Sequence, residues 1–227
     1  MNNTLLHFPT IKRRHLSRRM LLFFPVLLLL LLASACGSQE LDPSQFRGTL
    51  MPTPIPAADF TLTNAAGETV HLSDYRGEIV LLYFGYTFCP DICPTTLSEL
   101  AKVQRELDDA GEKIQVLMVT VDPERDTPEK LGEYVTHFHP DFVGLSGTKE
   151  EIDAAGEGFG IYYKKNEGSE ATGYLVDHTA RVFVVDPQGN YQLSFSYGTP
   201  VDDIVHDLHL LMRSMESTPA KGKTAQN

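Results

Sequence analysis

An α/β domain with a central mixed β-sheet flanked by helices is what this 227-residue sequence predicts. Three observations carry the prediction. Ile79–Phe84 and Ile114–Val121 are continuous apolar runs, the pattern of strands buried on both faces. Between them, Leu97, Leu100, Val103, Gln104 and Leu107 recur at the three- and four-residue spacing of a helix. Near the end of the chain, Arg181–Asp186, the turn Pro187-Gln188-Gly189-Asn190 and Tyr191–Ser196 read as strand, turn and strand.

The elements follow in order. Asp59–Leu62 and Thr69–Leu72 flank Asn64-Ala65-Ala66-Gly67, which signals an N-terminal β-hairpin. The first central strand then runs into the first helix, with Pro94 suited to its first turn and Gly111 to its end. After the second central strand a helix starts behind Thr127, with Pro128 at its first position and Glu129 in its first turn, and extends to about Phe138. Thr148 and Glu151 stand at capping-box spacing and open a third helix. Gly156-Glu157-Gly158-Phe159-Gly160 ends that helix as a turn, since the stretch itself lacks a Lys to hold a phosphate. Tyr162 and Tyr163 read as strand residues, and Lys164 and Lys165 as solvated. The last helix follows Pro200, with Val201, Ile204, Val205, Leu208, Leu211, Met212 and Met215 on one apolar stripe. A β-α-β unit requires a right-handed crossover between parallel strands. The whole order gives a thioredoxin-like arrangement, with a pair of cysteines where the first central strand meets its helix.

Composition bounds what this domain can do. Hydrophobic residues at 42% and charged residues at 22% are ordinary for a globular core. The net charge is −11, and the first 35 residues hold five basic and no acidic residues, so subtracting those five leaves −16 on residues 36–227. Such an acidic chain does not track a phosphate backbone, which excludes a nucleic-acid partner. The only cysteines are Cys36, Cys89 and Cys93, too few for a disulfide scaffold.

The N-terminus reads as an address. Basic residues from Lys12 to Arg19 precede an apolar run, Met20 to Ala35, that is shorter than the ~20 residues needed to span a bilayer. Leu32-Ala33-Ser34-Ala35-Cys36-Gly37 follows, so residues 1–35 are expected to be an export signal. The small residues before Cys36 resemble a bacterial lipobox, with Ala33 where Leu is usual, and make Cys36 a lipidation site; the alternative is an uncleaved helix anchor. Both readings place the domain outside the cytoplasm and anchor it to the cell membrane. Ser17-Arg18-Arg19-Met20-Leu21 resembles a twin-arginine signal, which leaves both export routes open. Residues 36–57, with Pro43, Pro52, Pro54 and Pro56, are expected to form a flexible tether, residues 58–216 the folded domain, and residues 217–227 a disordered tail.

The chemistry lies in Gly85-Tyr86-Thr87-Phe88-Cys89-Pro90-Asp91-Ile92-Cys93-Pro94. Cys93 falls at or near a helix N-terminus, whose partial positive charge stabilises a thiolate. Two thiols four positions apart can close a small disulfide or chelate one soft metal ion. A purely structural staple around so short a loop removes little chain entropy, so redox or metal chemistry is the stronger reading.

Three stretches carry a family resemblance. They are Gly85–Leu97, then Val121-Asp122-Pro123-Glu124-Arg125-Asp126-Thr127-Pro128 with Tyr134, Val135 and Phe138, and then Val176-Asp177-His178-Thr179 with Val185-Asp186-Pro187-Gln188-Gly189. Over residues 58–215 the chain resembles the Sco/SenC family of copper-binding, thioredoxin-fold proteins that assist cytochrome c oxidase assembly. The resemblance implies copper as cofactor or cargo, with Cys89, Cys93 and His178 as ligands. Two thiolates suit Cu(I), and an imidazole lets the same site hold Cu(II). It further implies that Asp177 orients His178, and that the partners are cytochrome c oxidase subunit II, or a similar copper acceptor, and a thiol reductant. By analogy with thioredoxin-like folds, His178 sits in the loop before the Arg181–Asp186 strand and faces the dithiol. The implied role is metal transfer rather than enzymatic turnover. The alternative is a thiol–disulfide oxidoreductase in which Cys89 and Cys93 are the redox-active pair.

Other histidines read as ordinary. His137 and His139 flank Phe138 near a helix end, and His206 and His209 share a solvated face with Asp202 or Asp203. A peroxidase reading fails because Leu82 and Tyr86 stand where the peroxiredoxin pattern before Cys89 needs Pro and Thr or Ser. A zinc site is chemically allowed by two Cys and one His, with nothing else to support it.

Overall fold

The computed structural model describes residues 41–109, 114–168 and 173–216. The expected export signal, Cys36, Gly111 and the 217–227 tail lie outside the described residues.

Six strands form one mixed sheet. In chain order they are β1 (Thr49–Pro56), β4 (Ile79–Gly85), β5 (Ile114–Thr120), β6 (Val143–Leu145), β9 (Arg181–Val185) and β10 (Asn190–Ser196), arranged β1-β10-β9-β4-β5-β6. β4, β5 and β6 run parallel, while β9 lies antiparallel to β4, β10 to β9, and β1 to β10. Every residue of β4 is buried, as its unbroken apolar run requires of the middle strand. Among the described residues four helices flank the sheet: α1 (Ile92–Asp109), α2 (Pro128–Thr136), α3 (Lys149–Glu157) and α4 (Val201–Glu216). The α1 positions Leu97, Leu100, Val103 and Leu107 are all buried, and α1 packs against α4. The thioredoxin-like expectation holds.

Caps fix the helix starts as the sequence indicates. The Thr127 side chain accepts from Lys130 N, and Thr148 with Glu151 forms a reciprocal capping box. α2 stops at Thr136, two residues short of the expected Phe138. The N-terminal hairpin pairs β2 (Thr61–Thr63) with β3 (Thr69–His71), separate from the main sheet. A second separate ribbon pairs β7 (Tyr163–Asn166) with β8 (Leu175–His178). Tyr162 lies just outside β7, and Lys165 is ion-paired with Glu124 rather than simply solvated.

The tether reading of residues 36–57 is corrected from Leu41 onward. A 3₁₀ turn over Pro43–Gln45 is capped by Asp42, and the backbone N–H groups of Arg47 and Gly48 donate to the fully buried carboxylate of Asp207 on α4. Thr49–Pro56 then pairs with β10, with an irregular register between Leu50 and Ile55. Pro52, Pro54 and Pro56 are tolerated because β1 is the edge of the sheet, where a missing N–H need not break a ladder. Among the described residues, folded structure therefore extends back to Leu41, which packs against the core.

Candidate metal centre

Three elements bring the candidate ligands together. β4 ends at Gly85 in the middle of the sheet, the loop Tyr86–Asp91 carries Cys89, and α1 opens at Ile92 with Cys93 in its first turn. The ribbon β7–β8 ends at His178, 85 positions after Cys93. His178 is thus the last residue of a strand rather than part of a loop, and strand geometry aims its ring at the thiols. Its Nε2 stands 3.4 Å from Cys93 Sγ, and the ligating atoms of Cys89, Cys93 and His178 all lie within 4.8 Å of one another. Ligand atoms about 2.3 Å (sulfur) and 2.0 Å (nitrogen) from one ion stand about 3.5–4 Å apart, so a small contraction closes this group on a soft cation.

The two sulfurs are unequal. Cys93 is fully buried and accepts a hydrogen bond from the Tyr83 hydroxyl at 3.3 Å. Cys89 is half-buried and accepts from Cys93 N at 3.4 Å. A hydrogen bond from the Cys93 thiol, then one from the His178 ring and backbone N–H donors, bring the Cys89 thiol down to about 3. Donating to Cys89 from a buried position pushes the Cys93 thiol the other way, well above its ordinary range. The pair accordingly holds one proton on the inner sulfur and a negative charge on the outer one. Burial and the nearby Cys93 sulfur also hold Tyr83 as a neutral phenol, so it stays a donor.

The imidazole is held edge-on by two aromatic rings, Tyr83 at 6.1 Å and Tyr86 at 5.8 Å between centroids. Its Nδ1 stands 3.3 Å from the Thr179 carbonyl, which can only accept. With Nδ1 against that carbonyl, Nε2 is the ring nitrogen turned toward the sulfurs, the one that would meet a metal. Asp177 does not supply this orientation, and that expectation is corrected. Successive strand residues point to opposite faces, so Asp177 is exposed and sits across from Lys164.

A buried frame supports the loop. The Asp126 carboxylate, fully buried, accepts from Thr87 N, Thr87 Oγ1 and Thr120 Oγ1, which ties the residues before Cys89 to the end of β5. Asp122, equally buried, accepts from Arg125 Nε and from the Tyr174 hydroxyl. Burial and that bond to Asp122 push Tyr174 up to about 12, so it too remains a donor. In the sequence Asp122, Arg125, Asp126 and Tyr86 stand out only as part of the matching pattern, and Tyr83 carries no assigned role. The available signal for Tyr83 was a hydroxyl inside an otherwise apolar central strand.

The other histidines depart in part from the expectation: His139 is buried beyond the helix end rather than solvated, accepting from Asp141 N, and His206 meets the buried Asp207 at 3.0 Å instead of Asp202 or Asp203. His137 bonds the Glu133 carbonyl through Nδ1 at 2.6 Å. Among the described residues a second trio that could hold a metal is Asp108, His139 and Asp141, but its two carboxylates are exposed.

Comparison with known proteins follows the same line. The SCO1/SenC family model matches residues 51–213. The chain is similar to the mitochondrial SCO1 homolog of Mus musculus, with 39% identity over 163 residues, 71% of this chain and 57% of that protein. It is similar to the mitochondrial SCO2 homolog of Bos taurus, with 37% identity over 161 residues, 70% of this chain and 60% of that protein. The matched region thus spans less than two thirds of these relatives' own length. Among solved structures, apo Sco1 of Thermus thermophilus superposes with a TM-score of 0.66 at 42% identity, over 77% of this chain and 99% of that one. Arabidopsis thaliana ScoI with copper bound superposes with a TM-score of 0.65 at 33% identity, over 71% of this chain and 98% of that one.

Proposed function

Because this chain belongs to the SCO1/SenC family, we propose that it is a copper-transfer protein, tethered to the cell membrane outside the cytoplasm. It binds copper through Cys89, Cys93 and His178 and assists metallation of the binuclear copper centre of cytochrome c oxidase. The carrying observation is the convergence of two thiols and an imidazole within 4.8 Å from elements far apart in sequence. Two sulfurs hold Cu(I), the nitrogen lets the same group hold Cu(II), and three protein ligands leave a position for an acceptor's own ligand. Loading displaces the proton on Cys93, so affinity rises with pH.

Exposed side chains around the site support a protein client. The exposed large apolar residues among those described are Ile55, Phe88, Tyr162 and Tyr197. Three of them border the site: Phe88 adjoins Cys89, Tyr162 is hydrogen-bonded to Thr179, and Tyr197 N donates to the Ala180 carbonyl. Exposed aromatics ringing a functional group are the usual anchors of a protein interface.

The test is copper titration of the reduced domain. One equivalent of Cu(I) is expected to bind tightly, and His178→Ala is expected to weaken Cu(II) by about tenfold or more. No stoichiometric binding, or full Cu(II) affinity after His178→Ala, would overturn the reading. Attachment is tested separately: labelled fatty acid is expected on the wild type and absent from Cys36→Ala, whereas a helix anchor predicts membrane retention without label.

A second reading, thiol–disulfide exchange on the acceptor's cysteines, is favoured by the asymmetry of the pair. An outer thiolate, Cys89, and an inner protonated thiol, Cys93, match the attacking and resolving roles. Insulin reduction that survives His178→Ala would support this reading, since disulfide exchange has no need of the imidazole.

A further inference from the structure

The ligand group joins two bodies, and the junction between them is built from residues that touch no ligand. Cys89 and Cys93 belong to the main sheet and α1, whereas His178 is carried by the β7–β8 ribbon, which makes no ladder with that sheet. The chain joins the ribbon to the sheet just after His178, where β9 starts at Arg181, so the opposite end of β8, at Tyr174, depends on side-chain contacts. There the Arg125 guanidinium lies 3.6 Å from the Tyr174 ring centroid, and its Nη1 donates to the Tyr174 carbonyl at 3.0 Å. Its Nε donates to buried Asp122, which also accepts the Tyr174 hydroxyl. On the thiol side, the same guanidinium lies 4.6 Å from the ring of Phe88, the residue before Cys89. A single planar cation is therefore stacked against one aromatic of each body and anchored to a carboxylate beneath both. Higher on the ribbon, Val176 N donates to the Tyr86 hydroxyl at 3.2 Å, and the Tyr86 ring in turn meets His178 edge-on.

We infer that Arg125, with Asp122 and Tyr174, is a positioning clasp that sets the His178 imidazole over the thiol pair. The inference rests on the copper reading for its consequence but not for its geometry. β8 is held at one end by its two-residue link to β9 and at the other by the clasp, so freeing Tyr174, about 13 Å along the strand from His178, lets the strand pivot about its His178 end and turn the ring. Metal–ligand distances tolerate about 0.2 Å. Small play at Tyr174 is thus enough to remove the nitrogen from the set while both sulfurs stay in place. Lysine cannot substitute fully, because it has neither the planar stacking surface nor the fork that reaches Asp122 and the Tyr174 carbonyl together.

The test compares Arg125→Met, Arg125→Lys and Tyr174→Phe with wild type, with and without copper. In the metal-free protein, amide exchange at Val176 and His178 is expected to speed up about tenfold in Arg125→Met while β4 and β5 amides keep wild-type rates. In the Cu(II) form, the imidazole nitrogen splitting in the electron paramagnetic resonance spectrum is expected to fade in Arg125→Met, as in His178→Ala. One equivalent of Cu(I) should still bind through the thiols. Arg125→Lys should recover part of the nitrogen signal, and Tyr174→Phe, which keeps the ring but loses the bond to Asp122, should fall between Met and wild type. Wild-type exchange at Val176 and His178 in both Arg125→Met and Tyr174→Phe would overturn the clasp. So would a wild-type nitrogen signal in the copper-bound variants. Failure of wild type itself to bind copper would sink the copper reading, while the exchange measurement would still decide the clasp.

Discussion

A methyl group at Gly85 would stand 2.7 Å from the Tyr83 ring and 3.0 Å from Cys93 Sγ. Both neighbours belong to the site, so the backbone at the end of β4 is kept bare to let the inner sulfur and its phenol donor lie against it. Gly85→Ala is expected to cost about 1–3 kcal/mol in urea unfolding through overpacking. It should also make Cys93 reactive to a thiol reagent in the folded state; an inert Cys93 at full stability would refute this. The thiol pair gives a second residue-scale prediction, about pH. Cys89 is lowered from 9.0 to about 3, so its contribution to stability is complete above pH 9 and lost as pH falls toward 3. Cys93 is raised, so its contribution is present below pH 9 and lost above it. Alkylation of the reduced, metal-free protein should therefore modify Cys89 at a nearly constant rate from pH 5 to 8, where an ordinary thiol accelerates about tenfold per unit. Cys93 should remain unmodified until the protein unfolds. A tenfold-per-unit slope at Cys89 would show that the shared proton does not rest on the inner sulfur.

The loop between β4 and α1 has little of its own to hold it, and the Asp126 carboxylate supplies what the ladder does not. Asp126→Ala leaves Thr87 N and the Thr120 hydroxyl without that acceptor, an expected cost of about 2–4 kcal/mol in chemical denaturation. Asp126→Asn, which keeps an acceptor, should lose less, and equal losses would mean that the charge rather than the hydrogen bonding matters. Elements of this kind show what was legible beforehand and what was not. β4, β5 and α1 were readable because continuous burial and three-four spacing both leave long patterns. β6, β7 and β8 have only three or four residues each, too few to express a period. β1 was read as a tether because alternating prolines remove the usual strand signal, and only its position at the sheet edge makes them acceptable. The ligand trio followed from the pattern match, whereas the error over Asp177 came from chain adjacency: neighbours in a strand face opposite ways. The clasp at Arg125 was unreadable because its partners, Phe88, Asp122 and Tyr174, meet only after the ribbon has folded back.

Taken whole, the molecule is a main sheet that owns two sulfurs and a ribbon that owns one nitrogen, so a metal bound by all three is also a bridge between the two. Binding to the folded state alone stabilises it by about 4 kcal/mol when free ligand exceeds Kd a thousandfold. The bridge makes a more specific claim about where that stabilisation appears. β4 and β5 are buried along nearly their whole length, so their amides should exchange only with global unfolding, while the two-stranded β7–β8 ribbon should open locally. Loading the reduced protein with copper is then expected to raise ribbon protection more than global stability rises. His178→Ala should abolish that excess but keep whatever global gain the two thiolates supply. The measurement is residue-resolved hydrogen exchange with and without one equivalent of copper, in wild type and His178→Ala. An increase of equal size in the ribbon and in the central strands would mean that the metal stabilises a body already rigid, and that the imidazole adds affinity without joining anything.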